Sequence, residues 1–193
     1  MTISPSWLQS LRSAIAEAAS STAADLDRSG SFPWDLSVSR AALCGLTDFP
    51  AQAVFCDEET MASVLVSHHG KVVGTSLISL EPRHAFEWIG SLGVEENPLD
   101  IFRTMGGALL RGMLGSLGGA DGSPVEFGDP TLEETSLVAT VLGTHAPPGT
   151  MVVSAQMGFA SAERAFPAYL YLLLDAKVLH SALGYLGERE EES

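Results

Sequence analysis

The sequence predicts an α+β domain. Its antiparallel sheet carries two long helices packed side by side on one face, and its two halves are related by a pseudo-twofold axis. Three observations predict this. Two long segments of helical periodicity, 5–27 and 98–118, each precede a run of strand-like segments. Each run ends in a helix that starts at an acidic residue after an apolar strand, which suits a helix dipole. The two run ends, LISLEPRHAFEWIGSLG (77–93) and YLLLDAKVLHSALGYLG (171–187), align at an offset of 94 residues, with Leu80 on Leu174, Glu81 on Asp175, Leu92 on Leu186 and Gly93 on Gly187.

The elements follow in order. Trp7, Leu8, Leu11, Ile15, Ala18, Thr22 and Leu26 recur at helical spacing, with Ser4 as cap before Pro5. RSGSFPW (28–34) breaks this first helix. DLSVSRAALCG (35–45), QAVFCDE (52–58), MASVLVSHHG (61–70) and KVVGTSLISL (71–80) read as strands, with a tight turn at His69-Gly70. EPRHAFEWIGSLG (81–93) is a short helix that Gly90 or Gly93 ends. Pro98 opens the second long helix, whose apolar face is Leu99, Phe102, Leu110, Met113, Leu114 and Leu117. SPVEFGD (123–129), TSLVATVLGTH (135–145), TMVVSAQMGF (150–159) and AFPAYLYLLLD (165–175) are strands. AKVLHSALGYLG (176–187) is a helix, and EREEES (188–193) a disordered acidic tail. The halves run from about 5–93 and 98–187 within one domain.

Gly106, Gly107, Gly112 and Gly115 interrupt the second long helix. Each glycine costs about 1 kcal/mol of helix stability relative to alanine. That cost implies close backbone approach, expected at Gly106 and Gly107 against the alanines of the first helix.

Composition narrows the function. The 193 residues are 46% apolar and carry a net charge of −14. Such a charge argues against nucleic acid and anionic membrane surfaces, and favours a partner with a basic patch or a bound metal. No apolar run approaches the roughly 20 residues that span a bilayer. MTISPSWLQSLRS lacks the basic start and apolar block of a signal peptide, so a cytoplasmic location is expected. Cys44 and Cys56 lie in apolar strand-like runs and read as small hydrophobes. His68, His69, His84, His145 and His180 show no ligand spacing, and His68-His69 is expected to be exposed at a turn. EENPLD (95–100) reads as a helix start. GGADG (118–122) lacks the lysine of a phosphate-binding loop. No nucleophile elbow, CxxC or HExxH is present.

On a wheel of about 100° per residue with Leu11 at zero, Ile15, Ala18 and Thr22 stay within about 40° of it. Ser13, Glu17 and Ser20 fall together on the opposite side. This geometry permits a site and equally describes a solvated face. Asp100, Thr104, Gly107 and Arg111 share one side of the second helix in the same way.

The paired halves, DLSVS (35–39) and AYLYLLLDAKVLHSALGYL (168–186) resemble the CheC/CheX/FliY family of chemotaxis phosphatases, which is related to the FliM middle domain. The resemblance spans nearly the whole chain. The family's long helix carries Asp or Ser, three residues, Glu, two residues and Asn, and a proline follows at the end of the first strand. Here those positions hold Ser13, Glu17 and, in place of Asn, Ser20; the proline position falls near Ser39. The second helix offers Asp100, Thr104 and Gly107, so its Glu and Asn are both absent.

The resemblance implies hydrolysis of the phospho-aspartate of a response-regulator receiver domain. The protein would have no cofactor of its own, since the Mg²⁺ belongs to the receiver. It implies Glu17, Ser20 and Ser13 as catalytic positions, with weak turnover because a serine lacks the donor and acceptor of an amide. Asp100 and Thr104 are the expected partner-binding positions. The alternative is a non-catalytic module that docks a receiver or a CheD-like protein. A third possibility is a structural dimer element like the related flagellar switch domains. The chain is expected to be a monomer or homodimer.

Overall fold

The computed structural model describes residues 5–28, 35–52, 60–70, 72–91, 96–118, 125–147, 149–160, 165–177 and 179. The first half comprises α1 (Pro5–Arg28), β1 (Asp35–Gly45), a 3-10 turn, α2 (Phe49–Gln52), β2 (Thr60–Gly70), β3 (Gly74–Leu80) and α3 (Pro82–Ser91). The second comprises α4 (Pro98–Gly118), β4 (Val125–Phe127), β5 (Thr131–Ser136), α5 (Leu137–Gly143), β6 (Thr150–Ala160) and β7 (Ala165–Asp175).

All strand pairs are antiparallel, in the order β1-β6-β7-β3-β2-β4, with β5 also on β2. The first strand of each half therefore pairs with the other half's hairpin. β1 runs along β6, and β4 with β5 forms one broken strand along β2. Thr60 opens β2 and Thr150 opens β6, an offset of 90 residues between strands of 11 residues each. Both outer pairings slip by one residue. The slip in β1 lies between Val38 and Arg40. In the other edge it lies between Phe127, opposite His68, and Thr131, opposite Leu65. These matched pairings and matched bulges give the sheet its pseudo-twofold character.

β3 and the later part of β7 are buried on both faces, whereas β6 alternates between buried and half-buried residues. α1, α3 and α4 cover one face, packing Leu11, Ile15, Trp88, Phe102 and Leu109 onto Val64, Ile78, Val153 and Leu170. α2 and α5 cap part of the other, where Phe49, Leu137 and Val141 meet Leu77, Tyr171 and Leu173. Phe49 meets Tyr171 edge-on at 5.5 Å, and Trp88 stacks on Phe159 at 4.4 Å.

Several sequence expectations need correction. Residues 137–143 form helix α5, not a strand. Ser136 caps it by accepting from the Ala139 N–H, and the buried Leu137, Thr140 and Val141 follow helical spacing. Gln52 belongs to α2, while the rest of the strand expected there lies outside the described residues. So do the Ser4 cap, Cys56, most of the helix expected over 176–187, and the acidic tail. Among the described residues at the start of that segment, Asp175 accepts from the Lys177 N–H at 2.7 Å. Asn97 does the same for α4, accepting from the Leu99 N–H at 3.0 Å just before Pro98.

α4 is adjacent to α1, as expected, but through a different glycine. A side chain at Gly112 would collide with Thr22 of α1. A Cβ at Gly106 would stand 3.1 Å from Ile78 and 3.2 Å from Val64, so that glycine seats α4 on the sheet. A Cβ at Gly107 would meet Pro130 at 2.7 Å and not α1. Periodicity groups these glycines but does not show that they look in three directions.

His68 is fully buried, against expectation, while His69 is exposed. The turn begins after His68, at Gly70 with φ 88°. The His68 Nδ1–H donates to the Val72 carbonyl at 3.0 Å, and Nε2 accepts from the Ser76 hydroxyl at 3.0 Å. This network ties the β2–β3 hairpin together with a neutral imidazole. Burial pushes the His68 pKa down, and the bond to Val72 only partly opposes it.

Two outcomes follow. Gly112→Ala should cost about 1–3 kcal/mol by overpacking, read as a lower Tm, and Thr22→Ala in the same chain should recover most of it. For His68, the unfolded chain binds a proton in the ordinary imidazole range while the folded chain does not. Stability should therefore be full above that range and fall as pH drops through it, and His68→Leu should flatten that slope in denaturant titrations across pH.

Candidate functional site

The outer face of α1 follows from its inner one. Leu11, Ala14, Ile15, Ala18, Ala19, Thr22 and Ala23 are buried against β1 and α4. Their spacing fills one side of the cylinder, so the positions between them must face solvent. Ser13, Glu17 and Ser20 are all exposed. They make no side-chain hydrogen bond or ion pair among the described residues. Residues three and four apart are neighbours on a helix, so the carboxylate stands between two hydroxyls. The buried inner face fixes the position of this stripe.

Chemically the stripe offers one carboxylate and two hydroxyls. A carboxylate can accept hydrogen bonds, pair with an ammonium or approach a metal held by another molecule. A serine can hold a water by one bond but cannot fix both its donor and acceptor directions as an amide does. Among the described residues, no three His, Cys, Asp or Glu side chains are placed to hold a metal.

The stripe on α4 is built differently. Asp100 and Thr104 are exposed, but both are engaged by their own helix. Asp100 Oδ1 pairs with Arg103 Nη2 at 3.3 Å, and the Thr104 hydroxyl donates to the Asp100 carbonyl at 3.1 Å. Gly107 is buried beneath Pro130. Arg111 Nη2 donates to the Gly128 carbonyl at 2.8 Å and lies 3.7 Å from Asp129. These residues and Ser13, Glu17 and Ser20 lie on neighbouring, packed helices.

Sequence reasoning missed Pro130 and the bond of Arg111. The resemblance places the family's proline near Ser39, where β1 has its bulge and the Ser39 hydroxyl donates to the Gln156 carbonyl at 3.3 Å. The dipeptide Asp129-Pro130 between two strand-like runs was the available signal. Cys44 is half-buried and its thiol is pushed up, first by burial and then by Asp48, so it is a poor nucleophile.

No protein-family model and no curated protein sequence matches the chain. Solved structures do. Thermotoga maritima FliY superposes with a TM-score of 0.67 at 14% identity, covering 97% of this chain and 99% of that one. The FliM middle domain from H. pylori gives 0.62 at 12%, covering 94% and 99%. The CheX–CheY–BeF3–Mg²⁺ complex from Borrelia burgdorferi gives 0.53 at 14%, covering 84% and 96%. The fold is that of the CheC/CheX/FliY proteins. At these identities the likeness shows the fold and leaves the chemistry to the residues. No helix among the described residues is long and apolar enough to cross a membrane.

Proposed function

We propose that this protein works in two-component or chemotaxis signalling by docking a response-regulator receiver on the exposed stripe of α1. The carrying observation is that Ser13, Glu17 and Ser20 are all exposed while the residues between them on the inner face are buried. The fold supports the partner class, since one structural neighbour is a CheX–CheY complex with BeF3 and Mg²⁺. The net charge of −14 favours a receiver surface that presents a lysine or a bound Mg²⁺. In this reading the protein needs no cofactor, because the metal stays with the receiver.

Hydrolysis would require a water to attack the phosphorus in line as the bond to the aspartate oxygen breaks. Inorganic phosphate leaves and the receiver's carboxylate is restored. Little covalent work falls to the docking protein, so positioning sets the rate. Glu17 would approach the receiver's metal or lysine, Ser20 would stand where a water-orienting amide is needed, and Ser13 would border the contact. One hydroxyl orients the water poorly, so turnover would be slow.

A second reading is docking without turnover, to a receiver or a CheD-like protein. The hydroxyl of Ser20 in place of an amide favours it. Related folds also serve in assembly, since H. pylori FliM occurs in complexes with FliG and with SpeE.

The test is phosphate release from a phosphorylated receiver, with binding measured alongside. Glu17→Ala should weaken binding at least fivefold, about 1 kcal/mol. Ser20→Asn should speed release. If Glu17→Ala alters neither binding nor release, the stripe is only a solvated face. Weakened binding with no release from either parent or Ser20→Asn selects the docking reading.

A further inference from the structure

We infer that Thr22 is the positioning residue of the α1 stripe: seated in the notch that Gly112 leaves in α4, it sets the tilt and rotation at which Glu17 and Ser20 meet a receiver. This rests on the docking reading above and adds what holds that face in place. The two ends of α1 are held differently. Leu11 and Ile15 anchor the N-terminal part in the core. From Ala18 onward the buried residues are Ala18, Ala19, Thr22 and Ala23, so Thr22 is the one branched side chain among them. Alanines offer shallow ridges that leave a neighbouring helix free to shift, whereas a knob in a hole fixes the register of two helices. The hole fits this knob closely. A Cβ at Gly112 would stand 2.2 Å from Thr22 Cγ2, 2.8 Å from Oγ1 and 3.1 Å from Cβ.

Neither residue favours its own helix. Threonine is stiff at χ1 and a poorer helix former than alanine, and glycine is poorer still. Two alanines would suit both helices better, so the fit between the pair is what this contact provides. Thr22 lies about 160° around the helix from Ser20, at about 100° per residue. A displacement of Thr22 is therefore carried through the helix to the docking face, while the Leu11 end stays anchored.

Two measurements on the full chain test this, with Val141→Ala, in the core on the other sheet face, as the destabilised control. The first needs no partner. In amide NMR spectra, Gly112→Ala and Thr22→Ala should each shift the Glu17 and Ser20 signals, whereas Thr22→Val, which keeps the branched shape, should leave them in place. In the chain carrying both Gly112→Ala and Thr22→Ala, the added methyl fills the space the threonine leaves, and the signals should return toward their parent positions. Val141→Ala should not move them. The second measurement is binding of a receiver domain activated by beryllofluoride and Mg²⁺. Gly112→Ala and Thr22→Ala should each weaken it at least fivefold, while Thr22→Val and the double variant bind like the parent. Unmoved signals, binding that neither single variant weakens, or equal weakening by Val141→Ala would overturn the proposal. If Gly112→Ala does not fold, Thr22→Ala against Thr22→Val decides. If the parent binds no receiver, the docking reading falls and the NMR signals alone decide whether Thr22 positions the stripe.

Discussion

The close seating of α4 is the constraint on which the rest depends. Gly106 lets the helix backbone down onto Ile78 and Val64, and Gly112 lets Thr22 of α1 reach it. Larger residues at either place would lift α4 off the sheet or push α1 away. With α4 low, α1 can lie beside it and bury Leu11, Ile15 and Ala18 in the same core as Phe102 and Leu109. That burial fixes the rotation of α1 about its own axis. The exposed stripe is therefore a consequence of packing on the opposite side of the helix, and its residues are positioned without contributing to the core.

The same sheet topology sets two related edges to different uses. The first strands of the two halves exchange hairpins, and each bulges once. Where the bulge carries Ser39, it stays within the sheet. Where it carries Gly128-Asp129-Pro130, it folds over α4 and is held by Arg111. The two related edges thus differ locally, with Ser39 at one bulge and Pro130 of the β4–β5 link over Gly107 at the other.

Much of this was legible in the sequence, because long amphipathic helices and apolar strands declare themselves by period. α1, α4, the β2–β3 hairpin and the exposure of Ser13, Glu17 and Ser20 all followed from spacing. The misreadings have local causes. Residues 137–143 are rich in Val and Thr, which suggests a strand, yet the Ser136 cap and the burial of Leu137 and Val141 make a helix. His68 reads in the sequence as a turn residue, but Val72 and Ser76 satisfy both its ring nitrogens inside the hairpin. The partners of Gly107 and Gly112 depend on which neighbour approaches, and that is tertiary information. Pro130 was visible in the chain, but its position over Gly107 emerges only when β5 pairs with β2.

The central claim is that the outer stripe of α1 is where a receiver docks. Amide hydrogen exchange with and without an activated receiver domain tests it most directly, because it reports the protected surface without presuming turnover. The account predicts added protection along α1 around Ser13–Ser20, with α4 around Asp100–Gly107 and the β4–β5 edge unchanged. Protection centred on α4 or that edge, with α1 unchanged, would contradict it.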